Sequence, residues 1–224
     1  MNSNTRILKA SCTEALLKLT LTGVALSVIW LDIAVFETKI LEISFVEITQ
    51  EVMLFLCAAL FFAGVNVSGN SGFNVLIGGF FACLLMRELD GILDPISHSA
   101  WCWPLTVIGV LSITFAFNEK NRQETLVAFA SFARTRTFGT MTTGLSVLVF
   151  SRVFGMGNFW HLVLDDGYVR LAKTTVEEGI ELLTYSMWLA SSIEYFANTQ
   201  TIRTDTITQK HKLNVHDEHA NNYS

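Results

Sequence analysis

Charge is what this 224-residue sequence has least of: Asp, Glu, Lys and Arg make up 16% of it, where a soluble domain carries about a quarter. The shortage argues against a water-covered globule. The apolar residues, 51% of the chain, gather in blocks near the ~20 residues that an α-helix needs to cross a hydrocarbon core. Other absences narrow the function. Cys12, Cys57, Cys83 and Cys102 show no CxxC spacing, which speaks against a zinc or disulfide framework and leaves thiols packed as small apolar groups. There is no Gly-rich phosphate loop, no HExxH array and no internal repeat, which disfavours transporters of the inverted-repeat kind. No patch interleaves aromatic with basic residues, so nucleic acid is excluded as a partner. The net charge of −5 identifies no partner by itself.

The apolar blocks run over 15–36, 43–65, 73–92, 103–117, 138–154 and 174–196. They lack the dyad alternation of membrane strands, and lipid tolerates no open sheet edge, so the expected fold is an all-α polytopic helix bundle of six spans. The first block is read as a span and not as a signal peptide, because it is long, contains Lys18 and ends in no small-residue cleavage pattern. The run LVAFASFAR between Glu124 and Arg136 is apolar on one side and predicts a helix along the membrane surface. Three regions follow: a cytoplasmic tail over 1–13, the membrane domain over 14–197 and a polar, disordered cytoplasmic tail over 198–224. In that tail His211, His216 and His219 are a faint metal-binding signal.

Orientation follows from the basic residues. Arg6 and Lys9, then Lys120, Arg122, Arg134 and Arg136, then Arg203, Lys210 and Lys212 all fall on one side of six spans. Lys39, Arg170 and Lys173 fall on the other, so both termini are expected in the cytoplasm, and the chain in a bacterial inner membrane among its lipids. Trp30, Trp101, Trp103 and Trp160 then mark the outer interface.

Charged groups at membrane depth are costly, so each needs a partner, a wet cavity or a function. Glu47 and Glu51 stand one helical turn apart on the second span. With 1.5 Å of rise per residue, Glu51 lies about 12 Å, Arg87 about 9 Å, Arg152 about 8 Å and Glu181 about 10 Å below the outer edge. Glu88, Asp90 and Asp94 follow Arg87, while Glu178, Glu181 and Tyr185 share one face of the sixth span. His98, His161, Asp165 and Asp166 lie in the outer connections, and Asp32 near the outer end of the first span. Lys18 snorkels inward and Glu194 sits near the inner end, so the remaining charges form one outward layer.

Structural roles compete with functional ones here. Glu51 and Glu181 paired with Arg87 and Arg152 fix helix register. Thr174 with Glu177, and Thr175 with Glu178, fit a capping box. Asp94 before Pro95 fits an N-cap. His98 and His161 fit hydrogen-bonded interfacial histidines.

Ser151-Arg152 followed by His161 and Asp165 resembles the third signature of the phosphatidic-acid phosphatase superfamily, SRxxxxxHxxxD, and Pro95-Ile96-Ser97-His98 is similar to its PSGH element. The resemblance implies lipid-phosphate hydrolysis on the outer side of a six-helix bundle. The departures are large: eight residues separate Arg152 from His161 where the family has five, Ile96 and Ser97 replace Ser and Gly, and no KxxxxxxRP precedes them.

Three function classes remain. The favoured one is ion- or proton-coupled transport, with Glu47, Glu51 and Glu181 binding a cation or relaying protons, and Arg87 and Arg152 tuning them. The second is a membrane-embedded lipid hydrolase using His98 and His161 as acid, base or metal ligands, with the arginines holding phosphate. The third is a scaffold whose polar layer only sets helix packing.

Overall fold

The computed structural model describes residues 3–36, 44–65, 70–93, 95, 97, 99–164 and 170–221. These residues form helices and turns without a strand. In chain order the helices are α1 (Ser3–Ala34), α2 (Phe45–Gly64), α3 (Ser71–Glu88), α4 (Asp90–Leu93), α5 (Cys102–Ala116), α6 (Arg122–Phe132), α7 (Arg136–Ser151), α8 (Gly157–Leu164) and α9 (Arg170–Asn221).

Local chemistry sets several of these boundaries. The N-terminus of α2 is capped twice: Ser44 Oγ accepts from the Glu47 N–H at 3.1 Å, and the buried Asp32 carboxylate of α1 accepts from the N–H groups of Phe45 and Val46 at 3.1 and 2.7 Å. Three donors that a helix leaves unpaired at its start are thereby satisfied, two of them by a negative charge suited to the positive end of the helix. Thr135 caps α7 through the Phe138 N–H. The turn from α5 to α6 closes when Asn121 and Thr125 donate to the carbonyls of Phe115 and Ala116, each at 2.9 Å.

The axis of the bundle is α9, against which α1, α2 and α7 pack; α2 bridges to α3, and α5 and α6 lie on α3. The core is strongly aromatic. Phe61 stacks with Phe81 and Tyr195 at centroid separations of 5.8 and 6.0 Å, Phe73 meets Phe132 at 5.2 Å, and Phe81 meets Trp188 edge-on at 5.7 Å. Such pairs contribute about 0.5–1.5 kcal/mol each beyond their buried area. Trp188 is fully buried and its indole N–H donates to the Met141 carbonyl at 3.1 Å, tying α9 to α7.

The outside is apolar as well. Leu16, Leu19 and Leu26 of α1 and Trp103, Val110 and Leu111 of α5 are all more than half exposed. A water-soluble monomer rarely exposes contiguous apolar surface on this scale. Among the described residues two helices are long and apolar enough to cross a membrane, Leu8–Ala34 within α1 and all of α2. The other expected spans fall short of that standard for physical reasons. α5 and α7 have 15 and 16 residues, about 23 Å of rise against a hydrocarbon core of ~30 Å. α3 carries Arg87 and Glu88 within its 18 residues, and α9 holds Glu177, Glu178 and Glu181.

Several sequence-based boundaries change. The first helix begins at Ser3, not at Ala15, helped by the Glu14–Lys18 pair one turn apart, so Lys18 has a partner and does not simply snorkel. The third expected block is interrupted at Leu89, whose N–H bonds back to Leu85 and Arg87 before α4 begins. The surface helix expected over 124–136 is α6, which buries Thr125, Ala128 and Phe132 and leaves Leu126 and Val127 exposed. α9 starts at Arg170 and remains helical through Asn221, past Asn198 where disorder is expected. No Gly or Pro follows Gly179 to break it. The side chains of His211, His216 and His219 lie outside those described.

Candidate functional site

Four elements converge at the end of the bundle that the sequence reading places outward: the first turns of α2, the last turn of α3 with α4, the last turn of α7, and the early turns of α9. Their polar side chains form two connected groups.

The first group joins α7 to α9. Arg152, at the C-terminus of α7, forms ion pairs with Glu181, which is 1% exposed, and with Glu177 at 3.5 Å. Gly155 permits this approach, because a Cβ there would overlap Glu177 Oε1. The pairing of Arg152 with Glu181 agrees with the sequence reading. The capping-box role for Glu177 and Glu178 does not hold, since α9 is already under way by Thr174 and both carboxylates are turned to other elements.

The second group joins α2, α3 and α9. Glu88 is 7% exposed, and its Oε1 accepts both the Tyr185 hydroxyl at 2.7 Å and the Arg87 guanidinium at 3.1 Å. Arg87 therefore pairs with its sequence neighbour, and the expected Arg87–Glu51 pair is replaced: Arg87 and Glu88 share the last turn of α3, while Glu51 stands on α2 with no ion pair among the described residues. Gln50, fully buried on α2, donates its amide to the backbone carbonyl and the carboxylate of Glu178 at 3.1 and 3.0 Å, joining α2 to α9. Glu47, half-buried beside it, lies within electrostatic reach of Glu178, Glu51, Asp90 and Glu88. Arg87 is the cation within reach of Glu88, Asp90 and Glu178.

The face shared by Glu178, Glu181 and Tyr185 on α9 thus meets three different helices, α2, α7 and α3. Asp94, His98 and Asp165 lie outside the described residues. His161 sits on α8 with its side chain exposed. Among the described residues no group of His, Cys, Asp and Glu converges on a point fit for a metal ion. The Arg152 guanidinium, which phosphate binding would require in the phosphatase-like reading, is engaged by two carboxylates.

Three residues escaped the sequence reading. Gln50 is uncharged and carries no depth signal. Glu177 looks like a helix start. Glu14 opens a second polar cluster at the opposite end of the bundle, where it pairs with Lys18 and with Arg136 at 3.3 Å, near Glu194. That cluster borders a cavity of about 460 Å³ between α1, α7 and α9.

No family model matches the chain, and no curated protein or solved structure matches it.

Proposed function

We propose that this chain crosses the membrane six times and uses its outward carboxylates for proton- or cation-linked transport, with Glu47, Glu51 and Glu178 as the working groups. The observation that carries the reading is the imbalance around Arg87. One guanidinium serves Glu88, Asp90 and Glu178, while Glu47 and Glu51 add two more carboxylates on the adjoining face of α2. Surplus carboxylate at this depth has to be neutralised by a proton, a cation or water. The two arginine pairs play a different part: Arg152 with Glu181 ties α7 to α9, and Arg87 compensates the Glu88 carboxylate that accepts the Tyr185 hydroxyl and so ties α3 to α9. The scattered placement of the carboxylates favours protons or monovalent cations over a caged divalent metal.

The apolar exterior supports the membrane placement, and short α5 and α7 span where the bilayer thins or the turns beyond them extend the crossing. Topology is tested directly by reporter fusions. Fusions after Ser68 and after Thr201 should read cytoplasmic and one after Ser99 external; an external C-terminus breaks the six-span arrangement.

Activity is tested in liposomes loaded with a pH-sensitive dye, using a potassium gradient with valinomycin to drive proton entry. Wild-type protein should acidify the lumen faster than protein-free vesicles do. Glu47→Gln and Glu51→Gln should fold and insert normally, since Gln keeps the shape and loses only the charge, yet slow that flux at least tenfold. Wild-type flux at the protein-free rate, or Gln variants that carry protons as fast as wild type, leaves the scaffold role in possession.

A further inference from the structure

Arg136 is shared by two cavities at the end of the bundle opposite the carboxylate layer. On one side it borders the polar cavity of about 460 Å³ that contains Glu14, Glu194 and Asn198. On the other it stands at the head of an apolar groove of about 440 Å³ between α7 and α9, lined by Gly139, Thr143, Val147, Leu183 and Met187. We propose that this composite site binds one glycerophospholipid with a primary-amine headgroup: an acyl chain lies in the groove, the phosphate rests on Arg136, and the ammonium enters the polar cavity beside Glu194 and Glu14. The inference needs the membrane placement, but it is independent of any transport activity at the opposite end.

Length, charge and access each support it. From Arg136 to Val147 the groove follows eleven residues of α7, about 16 Å, which matches one leaflet of a ~30 Å hydrocarbon core. Arg136 lies at the N-terminus of α7, on the side the basic residues mark as cytoplasmic, at the level where an inner-leaflet phosphate sits. Its side chain is 69% exposed, and one guanidinium nitrogen, Nη1, makes its contacts to Ser11 and Glu14 at 3.3 Å. The fork therefore retains donors that fit a phosphate.

Charge balance selects the headgroup. At full ionisation Glu14 and Glu194 are offset by Lys18 and Arg136, and an anionic headgroup adds unbalanced charge beside two carboxylates. A zwitterion keeps the balance. A primary ammonium also brings three N–H donors for carboxylate and amide oxygens, whereas a quaternary ammonium brings none. Glu194 accepts the Asn198 amide at 3.5 Å, shares a hydrogen bond with the Glu14 carboxyl and has no ion pair among the described residues, so an ammonium between the two carboxyls replaces the proton they share.

The test measures thermal unfolding and bound lipid, by native mass spectrometry, on the full chain in detergent with added phosphatidylethanolamine, phosphatidylcholine or phosphatidylglycerol. Phosphatidylethanolamine should remain bound at one per chain and raise the midpoint by about 3–6 °C, the scale expected for a chain of this size at roughly tenfold excess over Kd. The other two lipids should give less than half that shift. Gly139→Leu starts its side chain in open space, because nothing lies within 4 Å of a Cβ at that position, and projects it into the groove that Gly139 lines. It should abolish the shift while leaving the lipid-free midpoint unchanged, and Thr143→Phe on the exposed wall of the same groove should do the same. Glu194→Gln should reduce phosphatidylethanolamine to the level of phosphatidylcholine. Equal shifts from all three lipids reveal only a lipid annulus and overturn the site. So does a full shift retained in both groove variants. Proton flux unaffected by Gly139→Leu separates this outcome from failure of the transport reading.

Discussion

Arg152→Ala should destabilise the protein by about 3 kcal/mol, lowering its unfolding midpoint in detergent by roughly 6–12 °C. The pair is asymmetric in its exposure to solvent. Glu181 is 1% exposed, and Arg152 is the cation that compensates it. Removing one partner of a buried pair leaves the other as an uncompensated charge, which costs about 3–5 kcal/mol. The lower end applies because the Arg152 side chain is 42% exposed, so solvent already screens part of the interaction. Glu181→Gln in the Arg152→Ala background should recover at least half the loss, since the stranded charge disappears while the shape remains. If the double variant instead loses the sum of the two single effects, the groups do not interact and the register role fails. Arg87→Ala is a weaker perturbation, because Glu88 retains the Tyr185 hydroxyl.

An effect of similar size should come from one methyl group. In Gly144→Ala the new Cβ overlaps the Trp188 indole nitrogen and lies 2.9 Å from Cε2 of the same ring and 3.0 Å from Thr184 Cγ2. Trp188 has no room to retreat: it is fully buried and packs edge-on against Phe80 and Phe81 at 5.9 and 5.7 Å. Moving the ring also breaks its hydrogen bond to the Met141 carbonyl. Overpacking costs about 1–3 kcal/mol and an unpaired buried donor about 1–3 more, against a gain of about 1 kcal/mol in helix propensity. The net loss is about 3 kcal/mol, with a change in tryptophan fluorescence. Gly139→Ala, five residues earlier in open space, is the control and should be neutral or slightly stabilising. Equal midpoints for the two alanine variants would show that the α7–α9 contact does not depend on Gly144.

Parts of this architecture are legible along the chain. The bounds of α2 and α5 agree with the apolar blocks to within about two residues, because there the apolar run and the helix end at the same polar residues. Charged residues at the edges of apolar blocks also identify the outward layer. Depth does not choose between partners at the same level, however. Arg87 and Arg152 lie within about 1 Å of each other in depth and both near Glu181, and the pairing of Arg87 with Glu88 follows from the direction in which the last turn of α3 aims its side chains.

Composition and periodicity determine that this chain is helical, poor in charge and polar at one end of its apolar blocks, because those properties come from backbone hydrogen bonding and solvent preference, which act residue by residue. The tertiary structure decides what those properties cannot. It makes α9 the axis, so that neighbouring carboxylates Glu177 and Glu178 on one helix turn to partners on α7 and α2. It sends Asp32 of α1 to the start of α2. It also brings Glu14 to Arg136 across 122 residues of chain. Each of these depends on which helix faces which, and that is set by packing over the whole bundle, where a glycine such as Gly144 or an aromatic such as Trp188 fixes how close and at what rotation two helices meet.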